Sequence, residues 1–242
     1  MKPASATGDD LSAGVICPCC NSRFPKFLPY GHGETPRPNA ECPGCGALER
    51  HRMTALYLKR RTDLFRDRLS LLDIAPHRSL LRLFSALDNV DYVSADLQSP
   101  LAMVKTDICK MPFPSGCFDA VMCMHVLEHV PDDRQGMAEL FRVMKPAGWA
   151  IIQVPIESHR AGTFEDPSVT RPEDRERVFH QHDHVRIYGR DYNDRLAAAG
   201  FAVDIVPYAA ELTAELIVKY GLKTNADRYI WVCTKPSANP IM

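Results

Sequence analysis

The chain reads as an α/β protein: a mostly parallel sheet covered by helices, preceded by a small cysteine-rich module. Three observations lead there. Residues 118–155 hold two apolar runs with an amphipathic segment between them, residues 69–96 repeat that pattern, and residues 17–45 carry two Cys-x2-Cys pairs. In the first stretch, Ala120–Met124 is too short for a helix and apolar enough for a buried strand. Met137, Leu140, Phe141 and Met144 then recur at i, i+3, i+4 and i+7, one stripe of a helix. Lys145-Pro146-Ala147-Gly148 supplies stop signals, and Trp149–Val154 is a second strand. Strand, helix, strand at this spacing is a βαβ unit with parallel strands and a right-handed crossover.

From the start of the chain, residues 1–14 lack the apolar core of a signal peptide and read as a disordered lead-in. Residues 15–47 hold Cys17 and Cys20, then Cys42 and Cys45, with 21 residues between the pairs. Proline follows the first cysteine of each pair, and Gly44 and Gly46 flank Cys45. Four thiolates on short turns suit tetrahedral Zn²⁺, so the segment reads as a zinc ribbon. Such a site has no open coordination position, which makes the metal structural. The segment is too small and too rich in Pro and Gly to bury a core, so the ion supplies its folding energy. Cys19, inside the first pair, leaves a one-residue alternative. Residues 48–68 predict a linking helix with Met53, Leu56, Tyr57, Leu64 and Phe65 on its apolar side. Its Arg50 and Arg52 are either ligands for a carboxylate or phosphate near an active site, or surface charge.

Leu69–Ala75 is the first strand of the larger domain, and His77–Leu87 a helix after it. Val90–Asp96 is the second strand. Asp96 ends it about 20 residues past the first strand, where an acid is placed to hold ribose hydroxyls. Met103–Thr106 is a short extended piece. Eight residues separate Asp96 from Lys105, too few for a helical crossover, so a loop is expected there. Towards the end, Asp191–Ala199 is a helix capped by Asp191 and stopped by Gly200, Phe201–Pro207 a strand, Ala209–Tyr220 a helix and Arg228–Thr234 the last strand. Residues 236–242 read as a disordered tail.

Residues 156–188 break the pattern with strong charge and little periodicity. An insertion of that length in a compact domain points to a lid. It contains His180-Gln181-His182-Asp183-His184, whose histidines share a face if extended. Three readings are open: a general base with its orienting acid, a second metal site, or hydrogen-bonded structural histidines. Glu157 is a further candidate for substrate contact.

The run FDAVMCMHVLEHV from Phe118 to Val130, followed by LFRVMKPAGW from Leu140 to Trp149, resembles the middle of class I S-adenosylmethionine (SAM)-dependent methyltransferases. Ala147-Gly148 stands where that family usually has Gly-Gly. The resemblance implies a Rossmann-like fold over residues 69–235, a mostly parallel seven-stranded sheet with an antiparallel edge pair, and SAM as cofactor. It implies that Asp107 accepts from the adenine amino group with Ile108 against the ring, and that Met124 and His125 border the sulfonium. Asp73 keeps the acid of the family's glycine-rich loop, but Ala75, His77 and Ser79 replace its glycines. SAM brings no phosphate to this loop; Ala75 stays small at the closest approach and Pro76 stiffens the turn. Leu97, next to Asp96, completes the cofactor candidates. The catalytic candidates are His129, His182, Asp183 and His184, serving an O, N or S nucleophile.

Composition sets the remaining bounds. Apolar and charged contents of 45% and 24% are ordinary for a globular chain, and no apolar run approaches the length of a bilayer span. Nine cysteines without a secretion signal favour metal binding and free thiols, hence a cytoplasmic protein. Residues 1–69 hold 11 Lys/Arg against 7 Asp/Glu, in a chain of net charge −1. The expected partner is a small-molecule acceptor. The alternatives are an RNA methyltransferase, since a ribosomal-RNA guanine methyltransferase family also joins a four-cysteine ribbon to this fold, and a non-catalytic binding module. Overall acidity and the lack of aromatic-basic interleaving weigh against RNA.

Overall fold

In the computed structural model, which describes residues 14–31, 36–222 and 229–237, the N-terminal module is two small antiparallel pairs. β1 (Val15–Ile16) pairs with β2 (Arg23–Phe24), and β3 (Leu28–Tyr30) with β4 (Arg37–Glu41). The expectations for residues 1–13 and 238–242, and for Arg228, lie outside the described residues.

α1 (Glu49–Arg61) does more than follow the module along the chain. Glu49 and every residue from His51 to Leu58 are buried, so the helix is part of the core that joins the module to the larger sheet. It also ends earlier than its periodicity predicts. Thr62 is extended, and its hydroxyl donates to the Leu58 carbonyl at 2.8 Å, closing the last turn.

The larger sheet follows as β5 (Leu69–Ile74), α2 (Arg78–Phe84), β6 (Val90–Asp96), β7 (Val104–Lys105), β8 (Phe118–Met124), α3 (Asp133–Val143) and β9 (Met144–Gln153). The chain winds outward from β5 to β6 and β7, then returns to place β8 and β9 on the other side of β5, all parallel. The link from β6 to β7 is a loop, as its length required. α3 is shorter than its stripe, because strand pairing begins at Met144, opposite Phe118. The Lys-Pro-Ala-Gly segment lies inside β9 as an irregularity, with Ala147 at φ 62°. Leu71, Leu72, Val121, Met122, Ile151 and Ile152 fill the middle of the sheet with essentially no exposure.

The insertion is ordered. β10 (Phe164–Glu165) pairs antiparallel with β11 (Arg186–Ile187), and α4 (Pro172–Phe179) lies between them. α4 had a legible start, with Pro172 at its first position and Glu173 and Asp174 in its first turn. α5 (Tyr192–Ala198) starts after Asp191, whose carboxylate does not cap it but accepts from the Thr163 hydroxyl at 2.7 Å. β12 (Ala202–Val206), α6 (Ala214–Lys219) and β13 (Ile230–Thr234) complete the chain. The single helix expected over 209–220 is two pieces, a short 3-10 turn at Tyr208–Glu211 and then α6, capped by Thr213. β13 runs antiparallel to both β9 and β12, the expected edge arrangement.

Candidate functional site

The four cysteines converge as their spacing predicts. Cys17 Sγ lies 3.6 Å from Cys45 Sγ, Cys20 Sγ lies 3.7 Å from Cys42 Sγ, and all four fall within 4.8 Å of one another. Sulfurs bound about 2.3 Å from a central zinc stand about 3.8 Å apart in a regular tetrahedron, so the donor set fits that ion. Cys19 is excluded from the set, because its buried thiol points at the His51 carbonyl, 3.5 Å away. Arg52 faces inward as well. Its guanidinium donates to the carbonyls of Ala40 (2.7 Å), Ala47 (2.6 Å), Tyr220 (2.9 Å) and Gly221 (2.7 Å) and lies 4.0 Å over the Phe27 ring. It is a staple between the module, α1 and the end of α6, not a ligand for substrate.

The switch of winding direction between β5 and β8 leaves a crevice at the carboxyl edge of the sheet, where open α/β sheets bind ligands. Its volume is about 740 Å³. Ala75 and Asp96–Gln98 form one wall, Thr106–Cys109 another, and His125, Val126 and His129–Asp132 a third. Both rim aspartates are held by their own loops. Asp96 Oδ1 accepts from the backbone N–H of Gln98 (2.7 Å) and Ser99 (2.5 Å), and Asp107 Oδ1 from that of Cys109 (2.8 Å). Each therefore keeps a second oxygen for a ligand. Of the other cofactor candidates, Leu97, Ile108 and His125 line the crevice, whereas Asp73, Pro76 and Met124 do not. Asp73 is buried beneath the rim, accepting from the Tyr92 hydroxyl at 2.9 Å; burial pushes its carboxyl up to about 7, against that hydrogen bond.

The loop without glycines nonetheless takes the turn that glycine favours. Ala75 has φ 52°, a left-handed conformation that costs a residue with a Cβ about 1–2 kcal/mol. Ala75→Gly is accordingly expected to shift stability by less than about 1 kcal/mol, since relief of strain and greater unfolded-state freedom oppose each other. Ala75→Val is expected to lower it by more, because a β-branched side chain is worse at positive φ. Thermal denaturation of the two variants checks this; equal stabilities would mean the turn is not strained. His77, in a second glycine position, is the N-cap of α2 and stacks on His51 of α1 at 3.8 Å between ring centroids. Burial lowers its pKa to about 4, with the Arg50 charge adding to the effect, so the ring is neutral.

The insertion folds over the crevice, contributing Arg175 and Asp183 to its lining. Its histidines do not share a face. His180 ends α4 at φ 68° and meets Glu157 at 3.2 Å, which leaves that acid paired with His180 and Arg160. His182 is exposed and does not line the crevice. Asp183 meets His129 Nδ1 at 3.3 Å, and His184 packs edge-on against the His129 ring, 4.7 Å between centroids.

Arg186, a residue that sequence reasoning missed, holds this arrangement together. Only 3% exposed, it donates to the carbonyls of Leu127 (2.7 Å), Val130 and Pro131 (2.9 Å). The Val185 N–H donates to the Glu128 carbonyl at 2.9 Å, and Tyr188 Oη to Asp133 at 2.7 Å. Alternation in Val185-Arg186-Ile187-Tyr188 was the available signal, since an arginine in a strand returning to the sheet needs buried acceptors. Asp132, which caps α3 through the Gln135 N–H at 3.0 Å, was also missed.

Residues 72–152 match the family described as Methyltransferase domain. The sterol 24-C-methyltransferase erg6 of Aspergillus fumigatus is 42% identical over 52 residues, 22% of this chain and 14% of that protein. The cycloartenol-C-24-methyltransferase of Arabidopsis thaliana is 46% identical over 43 residues, 18% and 13% respectively. The chain thus spans about a seventh of the curated relatives it matches. Among solved structures, the [4+2]-cyclase SpnF superimposes with a TM-score of 0.54 at 16% identity, over 88% of this chain and 87% of that one. The YcgJ protein from Bacillus subtilis gives 0.50 at 16%, over 78% and 100%. At these identities the likeness concerns the fold. No helix among the described residues is long and apolar enough to cross a membrane.

Proposed function

We propose that this chain, whose residues 72–152 match a methyltransferase domain, is a class I SAM-dependent methyltransferase that moves the methyl group of SAM to a small-molecule acceptor bound beneath the 156–188 insertion. The observation that carries this reading is the pair of rim carboxylates, each held by its own loop with one oxygen left over an open crevice of about 740 Å³. That volume suits a nucleoside-sized ligand with an acceptor beside it. In this reading the spare oxygen of Asp96 accepts from the ribose hydroxyls, and that of Asp107 from the adenine amino group. Ile108 and Val130 supply apolar contact for the ring, and Ala75 lets the backbone pass close to the amino-acid end.

SAM supplies an already activated methyl group when bound. The chain has to align the acceptor and keep water out, and the insertion is placed for both. His129 lines the crevice, and with Asp183 on Nδ1 its other ring nitrogen is left to accept a proton from an acceptor hydroxyl or amine. A thiolate acceptor needs no such base. The acceptor atom is O, N or S in this proposal; the sterol enzymes' names add carbon for those proteins. The cluster Cys17, Cys20, Cys42 and Cys45 holds a structural Zn²⁺. RNA is the weaker partner, because Arg52 and Lys59 of the basic helix turn inward onto backbone carbonyls.

Titration with S-adenosylhomocysteine (SAH) tests the reading. Wild type is expected to bind, and Asp96→Ala to bind ~10-fold or more weakly, about the loss of one charged hydrogen bond. Asp96→Asn, which keeps an acceptor for the Gln98 and Ser99 N–H groups, separates loss of the charge from loss of the loop. Equal affinity of all three proteins would remove Asp96 from the site.

A further inference from the structure

We infer that Glu128, His129 and His184 form a divalent-cation site in the wall of the crevice, separate from the four-cysteine cluster. One donor atom from each lies within 4.8 Å of the other two. Closure onto an ion with bonds of about 2.1 Å takes side-chain shifts of about 1 Å. Two imidazoles and one carboxylate are a donor set for a first-row divalent cation such as Zn²⁺, Fe²⁺ or Co²⁺, with positions left for other ligands.

A second observation points to the same ion. Glu128 is only 2% exposed, yet its Oε2 has no hydrogen-bond partner. The other oxygen, Oε1, meets His125 Nδ1 at 3.3 Å. A buried carboxylate oxygen without a partner is expensive, and a cation between it and the two rings removes that cost. The surroundings are prepared in the same sense. Asp183 lies on His129 Nδ1, the carboxylate–imidazole pairing that orients a metal-bound histidine and leaves Nε2 with a free lone pair. Arg186 and the Val185 N–H bind the backbone that brings His184 to Glu128 from 56 residues away, so the set is built by the fold.

His129 and Asp183 line the crevice, so the cation borders the space assigned to the acceptor. Its role there rests on the methyltransferase reading, while its binding does not. A cation lowers the pKa of a hydroxyl that coordinates it, which makes the acceptor class an alcohol or phenol. With the ion bound, His129 Nε2 is a ligand and no longer a base, so the hydroxyl proton leaves to solvent; the oxygen forms the new bond to the methyl carbon, and the electrons of the broken C–S bond stay on sulfur.

The test is Co²⁺ titration of the full chain with its cysteine cluster already loaded with zinc, followed by absorption spectroscopy and calorimetry. One saturable Co²⁺ per chain is expected, with nitrogen/oxygen-ligand bands and no sulfur-to-cobalt charge transfer. Glu128→Gln and His184→Ala should each weaken it ~10-fold or more, and Asp183→Asn by about tenfold. No binding beyond the cysteine cluster, or equal binding by wild type and both ligand variants, would overturn the site. SAH titration of the same samples confirms that the variants are folded and keeps the two proposals apart. Wild type that binds Co²⁺ but not SAH leaves the cation site standing without the methyltransferase reading; the reverse result removes only the cation.

Discussion

Stripping the metal from the four-cysteine cluster, by chelation or by Cys42→Ser, is expected to unfold the N-terminal module and to weaken SAH binding at a distance. A structural zinc contributes about 10–16 kcal/mol of apparent binding free energy in isolated finger peptides, comparable to the whole stability of an ordinary domain. The module has little to set against that loss, because its four strands are two to five residues long. The effect spreads because the cluster leans on the cofactor loop. The Cys19 thiol meets the His51 carbonyl, the His51 ring stacks on His77, and His77 caps α2 directly after the Ala75 turn. On the other side, a Cβ at Gly46 would come within 3.4 Å of the Arg78 side chain, so the metal-binding turn packs on the first residue of α2. Thermal unfolding with and without chelator should show a midpoint drop of ~10 °C or more, given about 2–4 °C per kcal/mol for a chain of this size. SAH affinity measured below the new midpoint should fall with it. A Cys42→Ser protein with an unchanged midpoint and unchanged SAH affinity would mean that the module stands without its metal and braces nothing.

Those contacts also mark where sequence reading works and where it stops. The cysteine pairs, the βαβ unit and the aspartates after successive strands are legible because each is specified within a few residues: two thiols on one turn, an apolar period, an acid at a strand end. Charge was the misleading signal. The N-terminal excess of Lys and Arg reads as solvated or RNA-facing, yet Arg52 and Lys59 both turn inward, Lys59 onto the Pro18 carbonyl at 2.6 Å. Their acceptors lie up to 169 residues away in the chain, which no local pattern reports. The histidine run shows the same limit. His180, His182 and His184 look like one set, but the partner of His184 is the turn at Glu128 and His129, and Arg186 brings the two together. Ala75 shows the opposite case: the family's glycines are absent, yet a small side chain suffices and the backbone keeps the left-handed turn.

Replacing Arg52 with methionine is expected to destabilise the chain by about 3–5 kcal/mol, although the arginine touches nothing in the crevice. Its four hydrogen bonds end on carbonyls of the module, the end of β4 and the turn after α6, and the residue has no exposure. Methionine fills much of the volume and leaves those carbonyls unpaired, at about 1–3 kcal/mol for each that water cannot reach. Charge adds to the effect. Four thiolates around Zn²⁺ carry a net charge of about −2, and the Glu49 carboxylate, followed by the Cys17 and Cys42 sulfurs, favours the cation on Arg52 against the cost of its burial. Arg52→Lys keeps a charge but lacks the planar fork that reaches acceptors on both sides, so it should fall between wild type and Arg52→Met. Urea unfolding should rank the three proteins in that order, and zinc should leave the methionine variant at the lowest denaturant concentration. A surface arginine would instead give midpoints equivalent to less than about 0.5 kcal/mol apart. That result would mean that Arg52 does not tie the module to the sheet energetically.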